Sequence, residues 1–383
     1  MITQDIFYLG VDDKTIDLFE GQYLVPNGIS YNSYLILDEK AAVLDTVDAR
    51  KTEEYLAKLE QALGGRTPDY LVVHHVEPDH ASSIQAVVEK YPSVQLVASA
   101  KALQMLPQYF ESLDLSGAIA VKDGDVLQLG RHSLTFMAAP MVHWPEVMVS
   151  YEPTSKTLFS ADGFGKFGAL DTQEEWDCEA RRYYFNIVGK FGPQVQALLK
   201  KAASLQIERI CPLHGPILEE NLGHYLNLYD IWSRYEPETD GVFIAYASLH
   251  GNTAKAAQKL ADILKQKGCA QVEMADLARS DMAEALDNAF RYSKVVLAAS
   301  SYNGGVMPFM EDLLHHLAAK NYQKRRVGLV ENGSFGPCAN RTMQQLLSGM
   351  KEIDLVEPAV TIRGAVKESD IPALEALADA LLA

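Results

Sequence analysis

The chain has 383 residues, of which 48% are hydrophobic and 22% are charged, an ordinary composition for a globular protein. The acidic residues outnumber the basic ones, and the formal net charge of −17 argues against binding nucleic acid or an anionic membrane through bulk charge. The length exceeds what one hydrophobic core usually organises, so it favours two domains.

The sequence lacks the features of a membrane or secreted protein. No apolar run reaches the roughly 18–20 residues needed to span a bilayer, and the acidic N-terminus has no leader of the signal-peptide type. Four cysteines lie far apart without a CxxC pair, which argues against a rubredoxin-type site, a zinc ribbon and a disulfide scaffold. We therefore expect a reducing, cytoplasmic location.

The first half of the chain alternates short apolar strands with amphipathic helices. The predicted strands are Ser33–Leu37, Ala41–Asp45, Tyr70–His74, Gln95–Ala98, Ser133–Ala138 and Thr157–Ser160. The predicted helices are Lys51–Leu63, Ser82–Lys90 and Gln194–Leu205. Strands with helices on both flanks predict an α/β fold of the αββα sandwich type, which we assign to residues 1–240.

The second half changes to a repeated β-loop-α rhythm. The predicted strands are Val242–Ala247, Val295–Ser300 and Val327–Val330, and the helices that follow them are Thr253–Lys267, Phe309–Leu317 and Asn340–Met350. This repeat is typical of a doubly wound parallel sheet, which we assign to residues 241–383. The polar segment Tyr235–Gly241 contains a proline and a glycine, and it marks the predicted boundary between the domains.

The densest chemical signal is the segment HHVEPDH, residues 74–80, which follows a predicted strand. His75, Glu77, Asp79 and His80 fall within six residues, and side chains on a loop that leaves a strand end can converge on one point. The further candidates at strand ends are His143 in PMVHWPE, Asp162 in LFSADGFG and His214 in CPLHGPI. Four His, two Asp and one Glu are enough to hold two metal ions with one bridging carboxylate.

A single His or Asp of this kind is more often an ordinary surface or core residue than a ligand. The ordered set changes that balance, because its later members also stand close to Pro or Gly at strand-to-loop positions. His74 is different, since in an extended segment its side chain points away from that of His75. We therefore predict a metal site without His74, which is expected to support the structure.

The order HxExDH…H…D…H resembles the metallo-β-lactamase fold in its flavodiiron version. Hydrolases of that superfamily usually carry HxHxDH and bind zinc, whereas Glu77 stands here at the position of the second His. A carboxylate in place of an imidazole makes the site harder and more anionic. That substitution favours iron over zinc.

A second motif, FIAYASLHGNTAKAAQKLADIL, places a loop between a strand and a helix. Backbone N–H groups of such a loop, together with the helix N-terminus, form a ready anion site. Gly251 allows close backbone approach, and Ser248, Asn252 and Thr253 add side-chain donors. A plain helix cap would explain the Ser and Thr equally well.

Two further loops, SSYNGG at residues 300–305 and ENGSFG at residues 331–336, follow strands at the edge where doubly wound folds bind ligands. The three loops together resemble flavodoxin, which implies FMN, with its phosphate in the first loop and its isoalloxazine in the other two. The implied cofactor-binding residues are Ser248, Leu249, His250, Gly251, Asn252, Thr253, Ser301, Tyr302, Asn303, Gly304, Asn332, Gly333, Ser334, Phe335 and Gly336.

The two loops that are implied to hold the isoalloxazine ring depart from the flavodiiron pattern. Ser300-Ser301 stands where that pattern has Pro-Thr, and the run Ser334–Pro337 stands where it often has Ser-Tyr-Gly-Trp, so the usual stacking Trp is absent. We expect Tyr302, Phe335 or a residue of another subunit to supply the apolar platform for the ring.

Over essentially the whole chain the resemblance is to flavodiiron proteins, and it implies a non-haem diiron site. By that resemblance one iron is bound by His75, Glu77 and His143, the other by Asp79, His80 and His214, and both by a bridging Asp162. Tyr183 and Tyr184, in EARRYYFNIV, resemble a stretch that approaches the diiron pocket. Each is a candidate to donate a proton or hydrogen bond to substrate, and a packed core tyrosine is the alternative for each.

The activity implied by the resemblance is reduction of O2 to water, of NO to N2O, or of both, with electrons relayed through FMN. The implied partners are an external donor, namely a rubredoxin-like protein or a reduced deazaflavin or flavin carrier, and a second copy in a head-to-tail homodimer or dimer of dimers. Two alternatives stay open: a zinc-dependent hydrolase with an accessory flavodoxin-like domain, and an electron-transfer module whose metal site is only structural.

Overall fold

A computed structural model of the chain describes residues 2–383. These residues form two compact units. The first comprises the described residues up to Tyr184 together with Pro193–Asp230, and the second comprises Phe185–Gly192 together with Ile231–Ala383. The second unit thus begins before the predicted boundary at residues 240 and 241, and it also takes a short segment from within the first. Among residues 2–383, none of the helices combines the length and the apolar character that crossing a membrane requires.

The first unit is a mixed α/β structure. Its strands are β1 (Ile6–Tyr8), β2 (Val11–Asp13), β3 (Leu18–Phe19), β4 (Tyr23–Leu24), β5 (Ile29–Tyr31), β6 (Tyr34–Leu37), β7 (Ala41–Leu44), β8 (Tyr70–Val73), β9 (Gln95–Ser99), β10 (Ile119–Val121), β11 (Val126–Gln128), β12 (Ser133–Ala138), β13 (Met148–Glu152), β14 (Thr157–Phe159) and β15 (Arg209–Cys211). Its helices are α1 (Thr52–Leu63), α2 (Pro78–Ala81), α3 (Ile84–Lys90), α4 (Ala100–Met105), α5 (Trp176–Tyr183), α6 (Gly192–Ala202) and α7 (Leu222–Ser233).

Two principal sheets organise this unit, in the orders β1-β6-β7-β8-β9-β10 and β11-β12-β13-β14-β15. The hairpin predicted around Asp38–Lys40 joins β6 to β7, with Leu37 opposite Ala41. From β7 to β10 the strands of the first sheet are parallel. In the second sheet β13 runs opposite to β12 and β14, and β15 is parallel to β14. Strands β12, β14 and β15 therefore end at the same edge.

The two sheets share one apolar core, to which both contribute alternate side chains. Its buried members include Ile36, Leu44, Val72 and Val97 of the first sheet and Leu134, Phe136, Met148 and Phe159 of the second. Each such side chain contributes about 1.5–3 kcal/mol when it leaves water. Helices α1 and α4 pack on the first sheet, and α6 and α7 lie against β13 and β14 of the second. The layers are those of the predicted αββα sandwich.

The second unit is a parallel sheet covered on both faces. Its strands are β16 (Thr239–Ala247), β17 (Val272–Asp276), β18 (Tyr292–Tyr302), β19 (Gly305–Val306), β20 (Gln323–Asn332), β21 (Lys351–Leu355) and β22 (Val360–Ile362). Its helices are α8 (Asn252–Gln266), α9 (Met282–Arg291), α10 (Pro308–Ala319), α11 (Ala339–Leu347) and α12 (Ile371–Leu382).

The strand order β17-β16-β18-β20-β21, with β22 also paired to β20, is the 2-1-3-4-5 order of flavodoxin-like sheets. Helices α8 and α12 bury Leu260 and Leu377 in one core with Val296 of the central strand. Helix α10 contacts both α9 and α11, and all three helices contact the central strand β18. The predicted fold class is confirmed, and because β16 begins at Thr239, part of the segment expected to link the domains is already strand.

Candidate metal centre and ligand pocket

The HHVEPDH segment leaves β8 of the first sheet and turns at once into the short helix α2. Pro78 occupies the first turn of that helix, a position where its missing N–H removes no hydrogen bond. The chain is extended before Pro78 and helical after it, so Glu77 belongs to the loop while Asp79 and His80 belong to the helix. The side chains of this one segment can therefore face a common point from different directions.

The other candidates follow β12, β14 and β15, the strands that end together at one edge of the second sheet. His143 lies in the loop after β12, Asp162 follows β14, and His214 follows β15. The topology thus brings together residues that are more than a hundred positions apart in the chain, as the 3.1 Å between His80 Nε2 and His214 Nε2 shows. The meeting point is the strand-end edge of the sandwich.

One group of ligand atoms comes from His75, Glu77, His143 and Asp162, all within 4.8 Å of one another. Glu77 Oε2 lies 3.1 Å from His75 Nε2 and 3.0 Å from His143 Nε2. Asp162 Oδ2 lies 3.4 Å and 3.1 Å from the same two nitrogen atoms. Two imidazoles and two carboxylates therefore converge on a single small volume.

A second group comes from Asp79, His80 and His214, whose ligand atoms are again within 4.8 Å of one another. Asp79 Oδ2 lies 3.3 Å from His80 Nε2 and 3.2 Å from His214 Nε2. The other oxygen of Asp162 reaches this group, since Oδ1 lies 3.1 Å from His80 Nε2. Asp162 thus stands between the two groups, with one carboxylate oxygen facing each.

Burial and opposite charges set the protonation of these groups. Burial alone would lower the pKa of His143, but Asp162 and Glu77 outweigh it and raise the pKa to about 9. Burial would raise the pKa of Asp162, yet the charge of His80 and the hydrogen bond from His143 hold it well below the ordinary value. The pKa of Glu77 is lowered in the same way by His143 and His75. The carboxylates of Asp162 and Glu77 therefore stay ionised and attract positive charge.

The donor set fits metal ions. Both carboxylate oxygens of Asp79 and Oδ1 of Asp162 are buried without a hydrogen-bond partner among the described residues. Unpaired buried acceptors are costly, and a cation satisfies them. Imidazole nitrogens mixed with carboxylate oxygens suit first-row transition metals such as iron, which bind neutral imidazole and ionised carboxylate.

Two imidazoles are oriented by groups that the sequence analysis did not identify. Buried Glu146 accepts from His75 Nδ1 at 2.7 Å and from the backbone N–H of Val76 at 3.1 Å. The carbonyl oxygen of Ser30 accepts from His214 Nδ1 at 2.7 Å. Such bonds direct Nε2 of each ring toward the cluster. The position of Glu146 three residues after His143, in HWPE, was the available sequence signal.

His74 and the two tyrosines occupy different places around the cluster. His74 is buried beside it, with Nδ1 2.6 Å from Asp45 Oδ2 and Nε2 2.8 Å from Ser150 Oγ. The ring of Tyr183 lies 5.5 Å from that of His214, and burial, with Asp162 nearby, raises the pKa of Tyr183. The ring of Tyr184 packs 5.1 Å from that of Tyr229. Tyr183 therefore borders the cluster directly.

A hollow of about 600 Å³ opens onto the metal-ligand cluster from the protein surface. Glu77 and Asp79 form part of its wall, and Glu20, Asp48 and Arg50 add further charged groups. The ring of Trp144 stands edge-on to His75 at 5.2 Å. This mouth, whose wall also contains apolar side chains, opens the cluster to the surface.

In the second unit, a pocket of about 510 Å³ lies at the carboxyl ends of the parallel strands. Most of the predicted cofactor-binding residues line it, together with Ser300, Cys338 and Gly364. Ser248 and Gly251 are not among the lining residues, although both stand where the first loop meets α8. Gly364 follows β22, a further parallel strand whose end the sequence analysis did not use. The volume is that of a small-molecule or cofactor site.

The first loop of this pocket suits an anionic group. Gly251 has φ +84° and precedes α8. Ser248 Oγ caps the helix by accepting from the backbone N–H of Ala254 at 3.2 Å. The first-turn N–H groups of a helix lack intrahelical partners and attract anions. Thr253 is buried beneath the loop, with Oγ1 2.9 Å from Ser300 Oγ. The residues present therefore fit a phosphate such as that of FMN.

The other side of the pocket carries exposed aromatic side chains. Phe335 is 88% exposed and Tyr302 is 41% exposed, and both line the pocket. A flat apolar ligand such as an isoalloxazine ring would cover part of that surface. Asn332 is fixed below them by a bond from its Nδ2 to the carbonyl of Gly364 at 2.9 Å.

The chain combines an αββα sandwich, which carries two clustered ligand groups, with a 2-1-3-4-5 parallel sheet. This combination defines the class of proteins with a metallo-β-lactamase-like and a flavodoxin-like domain. Residues 29–215 match the family described as ODP family beta lactamase, and residues 243–369 match a flavodoxin domain. The chain is 31% identical to the nitric oxide reductase of Moorella thermoacetica over 381 residues, which cover 97% of this chain and 94% of the relative.

Solved structures agree with this assignment. Rubredoxin oxygen:oxidoreductase from Desulfovibrio gigas superposes with a TM-score of 0.92 at 26% identity, covering 100% of this chain and 97% of that one. The flavodiiron protein from Giardia intestinalis gives a TM-score of 0.92 at 25% identity, covering 99% and 94%. The chain belongs to the flavodiiron protein family. The hydrolase alternative is not favoured, because relatives that match both units are named as reductases.

Proposed function

We propose that this flavodiiron protein is an oxidoreductase that reduces O2 to water, NO to N2O, or both, with FMN and two irons as cofactors. The observation that carries the proposal is the position of Asp162, whose two oxygens lie 3.1 Å from His143 Nε2 and 3.1 Å from His80 Nε2. One carboxylate that faces two ligand groups suits a two-metal centre. When bound, the irons and the reduced flavin supply the electrons for reduction of a small diatomic molecule.

Each residue of the cluster has a definite part in this proposal. His75, Glu77 and His143 would hold one iron, Asp79, His80 and His214 the other, and Asp162 both. Glu146 and the carbonyl of Ser30 keep two of the imidazoles turned toward the metals. His80 lacks such support, since its Nδ1 has no hydrogen-bond partner among residues 2–383. We therefore expect His80 to be the most weakly held ligand of the set.

The proton needed at the cluster is assigned to Tyr183. Its ring borders His214, while Tyr184 packs against Tyr229. Burial and the negative charges of Asp162 and Asp79 raise the pKa of Tyr183, so the phenol stays protonated at neutral pH. A protonated hydroxyl beside the cluster can donate a hydrogen bond to a bound substrate.

We propose that the electrons come from an external donor, namely a rubredoxin-like protein or a reduced deazaflavin or flavin carrier. We further propose a head-to-tail homodimer or dimer of dimers, so that the FMN of one subunit lies near the metals of the other. Sedimentation analysis of the cofactor-loaded protein tests the assembly. A monomer that turns over at the full rate would contradict it.

The decisive experiment on the activity avoids the unidentified donor. The cofactor-loaded protein is photoreduced without oxygen and then mixed rapidly with O2 or with NO, while flavin absorbance and gas concentration are followed. Fast and repeatable reoxidation by O2 without peroxide would identify an oxygen reductase. Rapid loss of NO with formation of N2O, and slow or damaging reaction with O2, would identify a nitric oxide reductase. Reduced protein that consumes neither gas would overturn the proposal.

A further inference from the structure

The first unit contains a small apolar cavity that is separate from the mouth of the metal-ligand cluster. It measures about 20 Å³ and lies between strands β13 and β14 and helices α6 and α7. We call it the α6–α7 cavity. Val149 and Leu158 of the strands, Ala202 of α6 and Leu226 of α7 form part of its wall, and none of the polar atoms of residues 2–383 is exposed to it.

The polar groups nearest the α6–α7 cavity already form hydrogen bonds with backbone groups outside it. Ser160 Oγ donates to the carbonyl of Gly163 at 2.6 Å, and the hydroxyl of Tyr229 accepts from the backbone N–H of Phe164 at 2.5 Å. A buried water needs about two to four polar partners, and an apolar cavity that offers none stays dry. The cavity therefore favours an apolar occupant over water.

The wall of the α6–α7 cavity includes sequence neighbours of two proposed metal ligands. Val142, in its wall, directly precedes His143, and Gly163, also in its wall, directly follows Asp162. At the other end, Leu198 and Leu226 are only partly buried and face solvent in part. The cavity thus lies in the helix layer, between partly exposed leucines and residues that adjoin two of the proposed metal ligands in the chain.

The size of the cavity restricts what it can hold. About 20 Å³ accommodates one molecule of the size of water and excludes organic substrates and cofactors. Transfer of a small apolar solute from water into such a space is favourable. The larger mouth of the cluster carries the charged groups of Glu20, Asp48 and Arg50, none of which lines the α6–α7 cavity.

We propose that the α6–α7 cavity binds a single apolar diatomic gas molecule, O2 or NO, on an apolar route from the surface to the metal cluster. The identity of the gas rests on the proposed function, whereas the affinity of the cavity for a small apolar gas does not. No covalent chemistry takes place in it. Its role is to supply the cluster with substrate by a path that ions and water do not share.

Krypton, a chemically inert gas of similar size, tests the cavity without reference to activity. Crystals of the cofactor-loaded protein are pressurised with krypton, and its anomalous scattering is located. We expect a peak between Val149 and Ala202 in the wild type, and its loss in Ala202→Leu, whose larger side chain fills the space. Ala203→Leu, at the exposed neighbouring position, should keep the peak. Absence of krypton from the wild-type cavity overturns the proposal.

The route is tested by the rate at which limiting gas reoxidises the reduced protein. We expect Ala202→Leu to lower the second-order rate constant about threefold or more, with maximal rate, FMN and iron contents unchanged. Reoxidation by ferricyanide, which cannot enter an apolar cavity, should be unaffected in both variants. An unchanged gas rate in a variant that has lost krypton overturns the route.

Two further results separate this proposal from its premise. If Ala202→Leu does not fold, Val149→Ile adds one methyl group from the strand side and takes its place, with the same expected losses. A wild type that binds krypton but consumes neither O2 nor NO would contradict the proposed function, while the cavity as an apolar gas site would stand.

Discussion

The metal-ligand cluster is formed by side chains, whereas the strand-end pocket of the second unit is formed mainly by loop backbone. The cluster consists of seven side chains, and six of them, including Asp162 and His214, are buried or nearly so. The pocket consists mainly of loop backbone, glycines and small polar residues, with Phe335 and Tyr302 exposed at its edge. The first site depends on which side chains are present, and the second depends on where the loops run.

This difference has a physical cause. A buried carboxylate such as Asp162 has to be paired with positive charge, so few substitutions are tolerated at its position. A phosphate held by N–H groups at the start of α8 requires the helix and the loop more than any one side chain. We therefore expect single changes in the cluster to cost far more than single changes in the pocket, and each prediction below tests that contrast.

The largest effect is expected from Asp162→Asn. The carboxylate stands within 3.4 Å of His75 and 3.1 Å of both His80 and His143, so loss of its charge removes a shared ligand. We expect gas consumption to fall by at least about 100-fold, with FMN content unchanged. The measurement is the single-turnover rate together with metal and flavin analysis.

The matched control for this change is Asp177→Asn, which alters a half-exposed ion pair with His224 and should leave the rate near that of the wild type. Normal turnover in Asp162→Asn would remove the basis for placing Asp162 between two metals.

A smaller loss is expected from Glu146→Gln, which changes a group that holds His75 without facing the metals. The amide cannot match the charged hydrogen bond of 2.7 Å to His75 Nδ1. Changes of this kind cost about 10- to 100-fold in metal affinity. Competition with a chelator measures the affinity, and Glu219→Gln, which changes an exposed partner of Arg209, is the control. Equal affinity in the two variants would show that His75 needs no such support.

In the second unit, Asn252→Ala combined with Thr253→Ala should weaken FMN binding by only about tenfold, or about 1.4 kcal/mol. The backbone donors at the start of α8 remain, and the change removes the amide of Asn252 and the Thr253 hydroxyl near Ser300. Iron content should be intact. Flavin titration of the apoprotein gives the affinity, and Ser293→Ala at the far end of β18 is the control. Unchanged affinity would place the phosphate elsewhere.

The smallest effect is expected at a site that serves neither cofactor. Burial would raise the pKa of Glu152, but hydrogen bonds from Ser155 and Thr154 outweigh it and lower the pKa below the ordinary value. A carboxyl with a lowered folded pKa stabilises the fold above its unfolded pKa, and this contribution is lost as the pH falls through the folded pKa.

Glu152→Gln should therefore reduce the free energy of unfolding by about 1 kcal/mol at neutral pH, and the difference from the wild type should shrink toward about pH 3. Urea unfolding at several pH values measures it. A difference that does not change with pH would mean that the charge of Glu152 contributes nothing, and unchanged gas consumption would confirm that the residue is structural.

Much of the architecture could be predicted from local pattern. Alternating apolar runs predicted β12 at Ser133–Ala138, and β-loop-α repeats predicted the parallel sheet with α8. The division into two units was harder to predict from sequence. Residues Phe185–Gly192 belong to the second unit, although the rest of that unit begins only at Ile231. Contacts between segments distant in the chain do not change the local pattern of hydropathy, so the sequence does not reveal them.

Some residues of the candidate sites could also be predicted from the sequence, and others could not. His75, Glu77 and Asp79 were found because titratable residues are rarely so dense beside a buried strand, and their role as ligands stays a prediction. Glu146 was not found, because a lone glutamate near a histidine is common and its burial is not visible in sequence. Gly364 was not found either, since its loop reaches the pocket only through the pairing of β22 with β20.

Residue identity and order were thus enough to predict the two-part α/β architecture, which the structure confirms, and to propose a metal-ligand set and an anion-binding loop. These features follow from side-chain chemistry and from periodicities of two and 3.6 residues, which act over short stretches of chain. The tertiary structure alone decided that Asp162 faces both ligand groups, that Glu146 holds His75, and that an apolar cavity lies against Val142, the residue before His143. Those facts depend on distances between strands remote in sequence, which only the packing of the sheets determines.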